Sequence, residues 1–214
     1  MKRKTSKKNL RIDTRNIGPE ERLKLIFSNI KEGLRINILL LFFNNPGYYN
    51  NIMGLKELLH TSHLTMRGHT KDLIKAGILK ELYTGRNGKI LMINEESLYV
   101  PPVRDLLEKI EEPKDIILKK IFSTNASIGC IILFKNGDRY FNNISGIARA
   151  LNVSYLTAQK TVNNLISAGL LKEHKIGKLI LVEANKESVY MSLFGELIES
   201  FKDIERRASI IIKY

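Results

Sequence analysis

Cysteine is nearly absent: the 214 residues contain one, Cys130. A lone cysteine excludes an internal disulfide framework and a multi-cysteine zinc site. It lies in the apolar run Ile128–Phe134, where a buried, inert thiol is expected, and the chain suits a reducing cytosol. Long apolar runs are missing as well. The densest, Ile36–Phe43, is far too short to span a bilayer, so no membrane partner is expected. The N-terminus is basic, but the apolar segment of a secretory signal does not follow it. No nucleophile–base set, glycine-rich phosphate loop or metal pair is present, and neither catalysis nor a cofactor is expected. His63 and His69 stand six positions apart, on different helix faces, and no carboxylate or cysteine cluster completes a metal site around them.

Acidic residues are the other shortage. Asp and Glu number 22 against 35 Lys and Arg, a formal charge of +13. The apolar fraction, 43%, and the charged fraction, 27%, are ordinary for a globular protein, so the imbalance is the informative quantity. So basic a chain usually meets a polyanion, because phosphate contacts release counterions and dominate nucleic-acid affinity. The bland alternative is a solvated basic surface that serves solubility alone.

What the chain has is a repeat. Shifted by 92 positions, Leu41–Glu81 lies over Leu133–Glu173 without a gap. Identical pairs include Phe42/Phe134, Tyr48/Tyr140, Asn51/Asn143, Gly54/Gly146, Ser62/Ser154, Leu64/Leu156, Thr65/Thr157, Leu73/Leu165 and Gly77/Gly169. The register then slips by three residues, in a turn that is longer in the first copy, and resumes at Gly88-Lys89 over Gly177-Lys178. Upstream, Ile26-Phe27-Ser28 reappears as Ile121-Phe122-Ser123. The boundary falls near Glu112-Pro113, where a helical pattern stops at proline. The expected organisation is a disordered basic arm over 1–18, a first domain over 19–112 and a second over 113–214.

Each unit reads as mostly α with a small β-hairpin. In the first, an entry helix is expected over about 20–31 and a second over 34–43, then an extended Tyr48-Tyr49. Asn50 and Asn51 can cap a helix from Ile52 to about Leu59, and Ser62 a helix to about Lys75 that Gly77 stops. Strands over 78–83 and 89–93 flank Asn87-Gly88, a strong hairpin signal, and a helix over about 103–111 closes the unit. The second unit repeats this order over 113–123, 127–134, 145–151, 154–167, 170–175 and 178–183. Its last helix, about 189–210, is much longer and carries Leu193, Phe194, Leu197, Ile198, Phe201, Ile204 and Ala208 at helical spacing. That stripe packs on its own unit or makes a homodimer interface.

Helix, tight turn, helix and hairpin, in that order, is the plan of a winged helix-turn-helix. The second copy is the clearer, with Ala148, Leu151-Asn152-Val153-Ser154, Thr157-Ala158, Val162, Leu165 and Ala168-Gly169-Leu170-Leu171. This resembles the MarR/ArsR-like winged-helix regulators of bacteria and archaea, over about 50–60 residues in each half. The first copy departs from the pattern, with Lys56 in place of the small Ala148 and Leu58-Leu59-His60-Thr61-Ser62 at the turn. The resemblance implies two tandem winged helix-turn-helix domains that bind double-stranded DNA and regulate transcription.

The residues support that reading independently. The helix after the turn must bury one face and offer the other to the major groove. In the second unit Ala158, Val162 and Leu165 make the buried face, which leaves Tyr155, Thr157, Gln159, Lys160 and Asn163 outward. In the first, Met66, Thr70 and Leu73 face inward, leaving His63, Thr65, Arg67, His69 and Lys71. The hairpins offer Arg86 and Lys89, and Lys175 and Lys178, to sugar-phosphate. Gly68 suits close helix packing or a close approach to the DNA backbone. The arm, with Lys2, Arg3, Lys4, Lys7, Lys8, Arg11 and Arg15, suits a groove-binding tail or a solubility tail. Two rivals keep the architecture and change its use. One is a plasmid-type replication initiator that binds origin repeats. The other is a ScpB-like protein-interaction module, against which the +13 charge counts.

Overall fold

The computed structural model describes residues 17–27, 33–84, 88–111, 113–136, 143–177 and 179–211. Among them the chain is mostly helical, with two small antiparallel sheets. The first half runs α1 (Pro19–Phe27), α2 (Leu34–Phe43), β1 (Tyr49–Asn50), α3 (Ile52–Leu58), α4 (His63–Lys75), β2 (Leu79–Tyr83), β3 (Lys89–Ile93) and α5 (Val100–Lys109). The second runs α6 (Lys114–Ile121), α7 (Ser127–Asn136), α8 (Ile144–Leu151), α9 (Tyr155–Ser167), β4 (Leu171–Ile176), β5 (Leu179–Ala184) and α10 (Val189–Ile211).

The element order repeats, and so do the local devices that set it. Asn51 and Asn143 each accept the backbone N–H three residues on, from Gly54 and Gly146, at 2.8 Å. Ser62 and Ser154 cap the next helix by accepting from Thr65 and Thr157 at 3.1 Å. Such caps satisfy N–H groups that a helix start leaves without partners. Gly77 and Gly169 follow the ends of α4 and α9 with φ of +82° and +78°, the left-handed C′ position that glycine takes at little cost. His60 and Asn152, again equivalent, hold φ of +48° and +52° between the paired helices.

Three features depart most from the sequence expectation, most other element ends lying within one or two residues of it. Helix α5 starts at Val100, three residues early, because Pro101 and Pro102 fall in its first turn, where the missing N–H has no partner to lose. In the first half β1 joins the hairpin, giving the strand order β1-β3-β2, with Tyr49 opposite Met92 and Asn50 opposite Leu91. The N-terminal arm does not extend to 18, because Ile17 is buried and its carbonyl accepts from Arg22 at 3.3 Å. The rest of the arm, residues 1–16, lies outside the described residues.

One buried core runs through both halves. Helix α1 packs on α7, and α2, its neighbour in the first half, packs on α6, so each half lays its first helix against the other's second. Phe27 and Phe122, equivalent in the repeat, stack with ring centroids 4.7 Å apart. This reciprocal exchange is how two identical subunits meet across a two-fold axis. The closing helices α5 and α10 pair with one another, and α10 also covers α1 and α7. Its stripe Leu193, Phe194, Leu197, Ile198 and Phe201 is buried within the chain, Ile204 is half-buried and Ala208 exposed. Phe194 meets Phe122 edge-on at 5.2 Å, and Phe201 lies 5.1 Å from Tyr99.

A buried polar knot ties the same seam. The Arg22 guanidinium lies 3.9 Å over the Tyr99 ring, donates to the Ala76 carbonyl at 3.1 Å and pairs with Glu205 of α10 at 3.4 Å. Tyr99 donates its hydroxyl to Glu205 at 2.5 Å, and burial followed by that hydrogen bond holds its phenol above the usual range. Cys130 is fully buried, and burial alone pushes its thiol up to about 12, the inert sulfur that the sequence suggested. No helix among the described residues is long and apolar enough to cross a membrane.

Candidate nucleic-acid interface

Helices α4 and α9 hold the candidate site. Each lies at the end of a capped turn, buries one face against its own half and leaves the other in solvent. The buried stripe of α4 is Met66, Thr70 and Leu73; that of α9 is Ala158, Thr161, Val162 and Leu165. His63, Thr65, Arg67 and Lys71 of α4 are exposed, as are Tyr155, Lys160 and Asn163 of α9. Gln159 and Thr157 are half-buried.

His69 is a correction. The sequence reading sets it outward, but it is half-buried and its Nδ1 faces the Arg35 guanidinium at 3.3 Å. That reading takes the stripe as i, i+4 and i+7, and the i+3 position shares the same face. Thr161, the equivalent of His69, obeys the same geometry: it is fully buried, shares a hydrogen bond with Thr124 at 2.6 Å and donates to the Thr157 carbonyl. Arg35 is itself buried on α2, donating to the Leu25 carbonyl at 2.7 Å and to Asp72 of α4 at 2.5 Å. It therefore pins α4 to the body of the protein through the side opposite the exposed face.

Burial, then the neighbouring Arg35 charge, holds the His69 imidazole below its ordinary value. The unfolded chain then binds the proton more readily than the folded one. The stability this contributes is complete above about pH 6.5, the unfolded value, and is lost as pH falls from there through the lower folded value. His69→Gln should flatten the dependence of Tm on pH between about 7.5 and 5, relative to the unaltered protein. An identical slope in the variant would show that His69 does not titrate with unfolding.

The threonines of the site serve the helix locally. Thr65 and Thr157 each share a 2.8 Å hydrogen bond with the capping serine, Ser62 or Ser154, so their hydroxyls are already engaged at the helix start. Gly68 is exposed, and a Cβ there would meet nothing within 4 Å, so helix packing does not require it.

The hairpin of the first half stands beside α4 and closes a groove of about 500 Å³. His63, Arg67, Lys71 and Ile74 line it from α4, Glu81, Tyr83 and Lys89 from the strands, and Ile52 from α3. Lys89 donates to Glu81 at 2.8 Å and sits 5.1 Å over the Tyr83 ring, and the Glu81 hydrogen bond holds its ammonium above the usual value. Arg67, Lys71, Lys160 and Lys175 have no ion-pair partner among the described residues. Lys175 is exposed on β4; Arg86 and Lys178 lie outside the described residues. Among the described residues no group of three or more His, Cys, Asp and Glu is arranged to hold a metal ion.

Sequence reasoning passed over two exposed side chains. Leu64 and Leu156, in the first turns of α4 and α9, are 79% and 74% exposed. Their identity across the repeat was the signal available. Comparison with protein-family models, with characterised proteins and with solved structures gives no match.

Proposed function

We propose that this chain is a sequence-specific, double-stranded DNA-binding regulator of transcription that reads with two tandem winged helix-turn-helix heads. The observation that carries the reading is the twofold presentation of a capped helix, mostly polar on its exposed face and backed by a hairpin, in a chain of charge +13. Helices α4 and α9 are the recognition helices, and the β2–β3 and β4–β5 hairpins are the wings. Arg67 and Lys71 of the first head, without ion-pair partners among the described residues, can meet guanine edges or phosphates. The heads sit on one shared core, so a single chain is the binding unit. Because the apolar stripe of α10 is covered as far as Phe201, a second copy would have to dock elsewhere or on the last turns of that helix.

The two heads offer different chemistry. Arginine prefers the O6/N7 edge of guanine, whereas glutamine and asparagine suit the N6/N7 edge of adenine. Arg67 and Lys71 of one head stand where the other has Gln159 and Asn163. The expected DNA site is therefore asymmetric, its second half richer in adenine contacts. Selection of bound duplexes from random DNA, mapped onto the source genome, tests this. Sites at promoters support regulation; sites confined to origin repeats point to an initiator; and no enrichment ends the DNA reading. Replacing Gln159 and Asn163 with Ala should relax specificity in one half only, by about 1–3 kcal/mol for each bidentate hydrogen-bonded pair removed.

A further inference from the structure

Helices α4 and α9 have diverged at nine of their thirteen aligned positions and agree at four: Leu64/Leu156, Thr65/Thr157, Leu73/Leu165 and Ile74/Ile166. Three of these agreements have an internal cause. Leu73 and Leu165 are fully buried, Ile74 and Ile166 pack against the core, and the threonines hydrogen-bond the capping serines. Leu64 and Leu156 have none. They are the two most exposed large apolar side chains among the described residues, at 79% and 74%.

We infer that Leu64 and Leu156 are base-reading residues, each meeting the 5-methyl group of a thymine in the major groove, one in each half of the site. The inference rests on the DNA-binding reading proposed above. Both leucines occupy the first turn of a recognition helix, the end whose side chains reach base edges. Their surroundings select the occupant. On the same face, three, four and seven positions on, stand Arg67, Gly68 and Lys71 in one head and Gln159, Lys160 and Asn163 in the other. A protein-docking helix would carry the apolar stripe along those positions. A single apolar point in a polar, cationic field matches instead the one apolar group that the major groove presents, the thymine methyl.

The test uses the full-length chain and the duplex enriched by selection, with each thymine of the two half-sites replaced in turn by uracil, which deletes only the 5-methyl group. One thymine in each half should be sensitive, with uracil weakening binding about fourfold, the effect of leaving one methyl group unburied. In Leu64→Ala the penalty should vanish in one half and persist in the other, and Leu156→Ala should show the reverse. Both side chains are exposed, so the Tm of each variant should match that of the unaltered protein. Uracil tolerated at every position, or penalties unchanged in both variants, overturns the inference while leaving DNA binding intact. Failure to enrich any duplex removes the DNA reading and this inference together.

Discussion

Affinity for a selected duplex should fall about 10³-fold or more when salt rises from about 50 to about 200 mM, the loss expected when six or more phosphates are neutralised. Arg67, Lys71, Lys160 and Lys175 are charges without ion-pair partners among the described residues, and their contacts with phosphate would each release a counterion. Lys89 should contribute less, because Glu81 already neutralises it. Seven more cations precede Ile17: Lys2, Arg3, Lys4, Lys7, Lys8, Arg11 and Arg15. Removing residues 1–15 should weaken binding to all sequences alike. It should also flatten the salt slope by about 0.9 for each phosphate contact that the arm makes. Titrations by fluorescence anisotropy at several salt concentrations read both quantities. A slope unchanged by the deletion would make the arm a passive tail.

Phe122→Ala should cost about 3–5 kcal/mol, the usual consequence of truncating a buried phenylalanine. Its ring is fully buried between Phe27 of the first half and Phe194 of α10, so the cavity would open at the seam where three helices meet. Such a loss is a large part of the roughly 5–15 kcal/mol that stabilises a typical domain. Because the core is continuous, both halves should respond. Denaturant unfolding followed by probes placed in each half should give one coincident transition, shifted in the variant. Two separated transitions, with only one moved, would show that the halves fold independently.

Most of the local structure could be read from the residues, because its causes are local. Asn51, Asn143, Ser62 and Ser154 announce helix starts and Gly77 and Gly169 helix ends, and each sits where the caps and turns are found. His69 escapes such reasoning because its polarity conceals a position on the buried face, where Arg35 receives it. Arg35 itself could not be anticipated. It comes from another helix, 37 positions before Asp72, and periodicity carries no information about which charges meet. The joining of the halves was equally out of reach. The repeat makes two similar units plain, but the stacking of Phe27 on Phe122 depends on how those units turn towards one another. For the exposed leucines the sequence did hold a clue, the identity of two positions, and only burial distinguishes it from the identities that serve the core.

The reciprocal packing of α1 on α7 and α2 on α6 has a consequence for dosage. Two separate subunits joined in this way dissociate on dilution, and their occupancy of a paired site acquires a threshold set by the dimer dissociation constant. Here the linkage is covalent, so under the DNA-binding function proposed above the second half would be present at a high effective concentration however dilute the protein. With a single chain as the binding unit, occupancy would follow a simple hyperbola in protein concentration and extend to a few copies per cell. The two halves are also encoded separately, so the surface of one can change without imposing that change on the other.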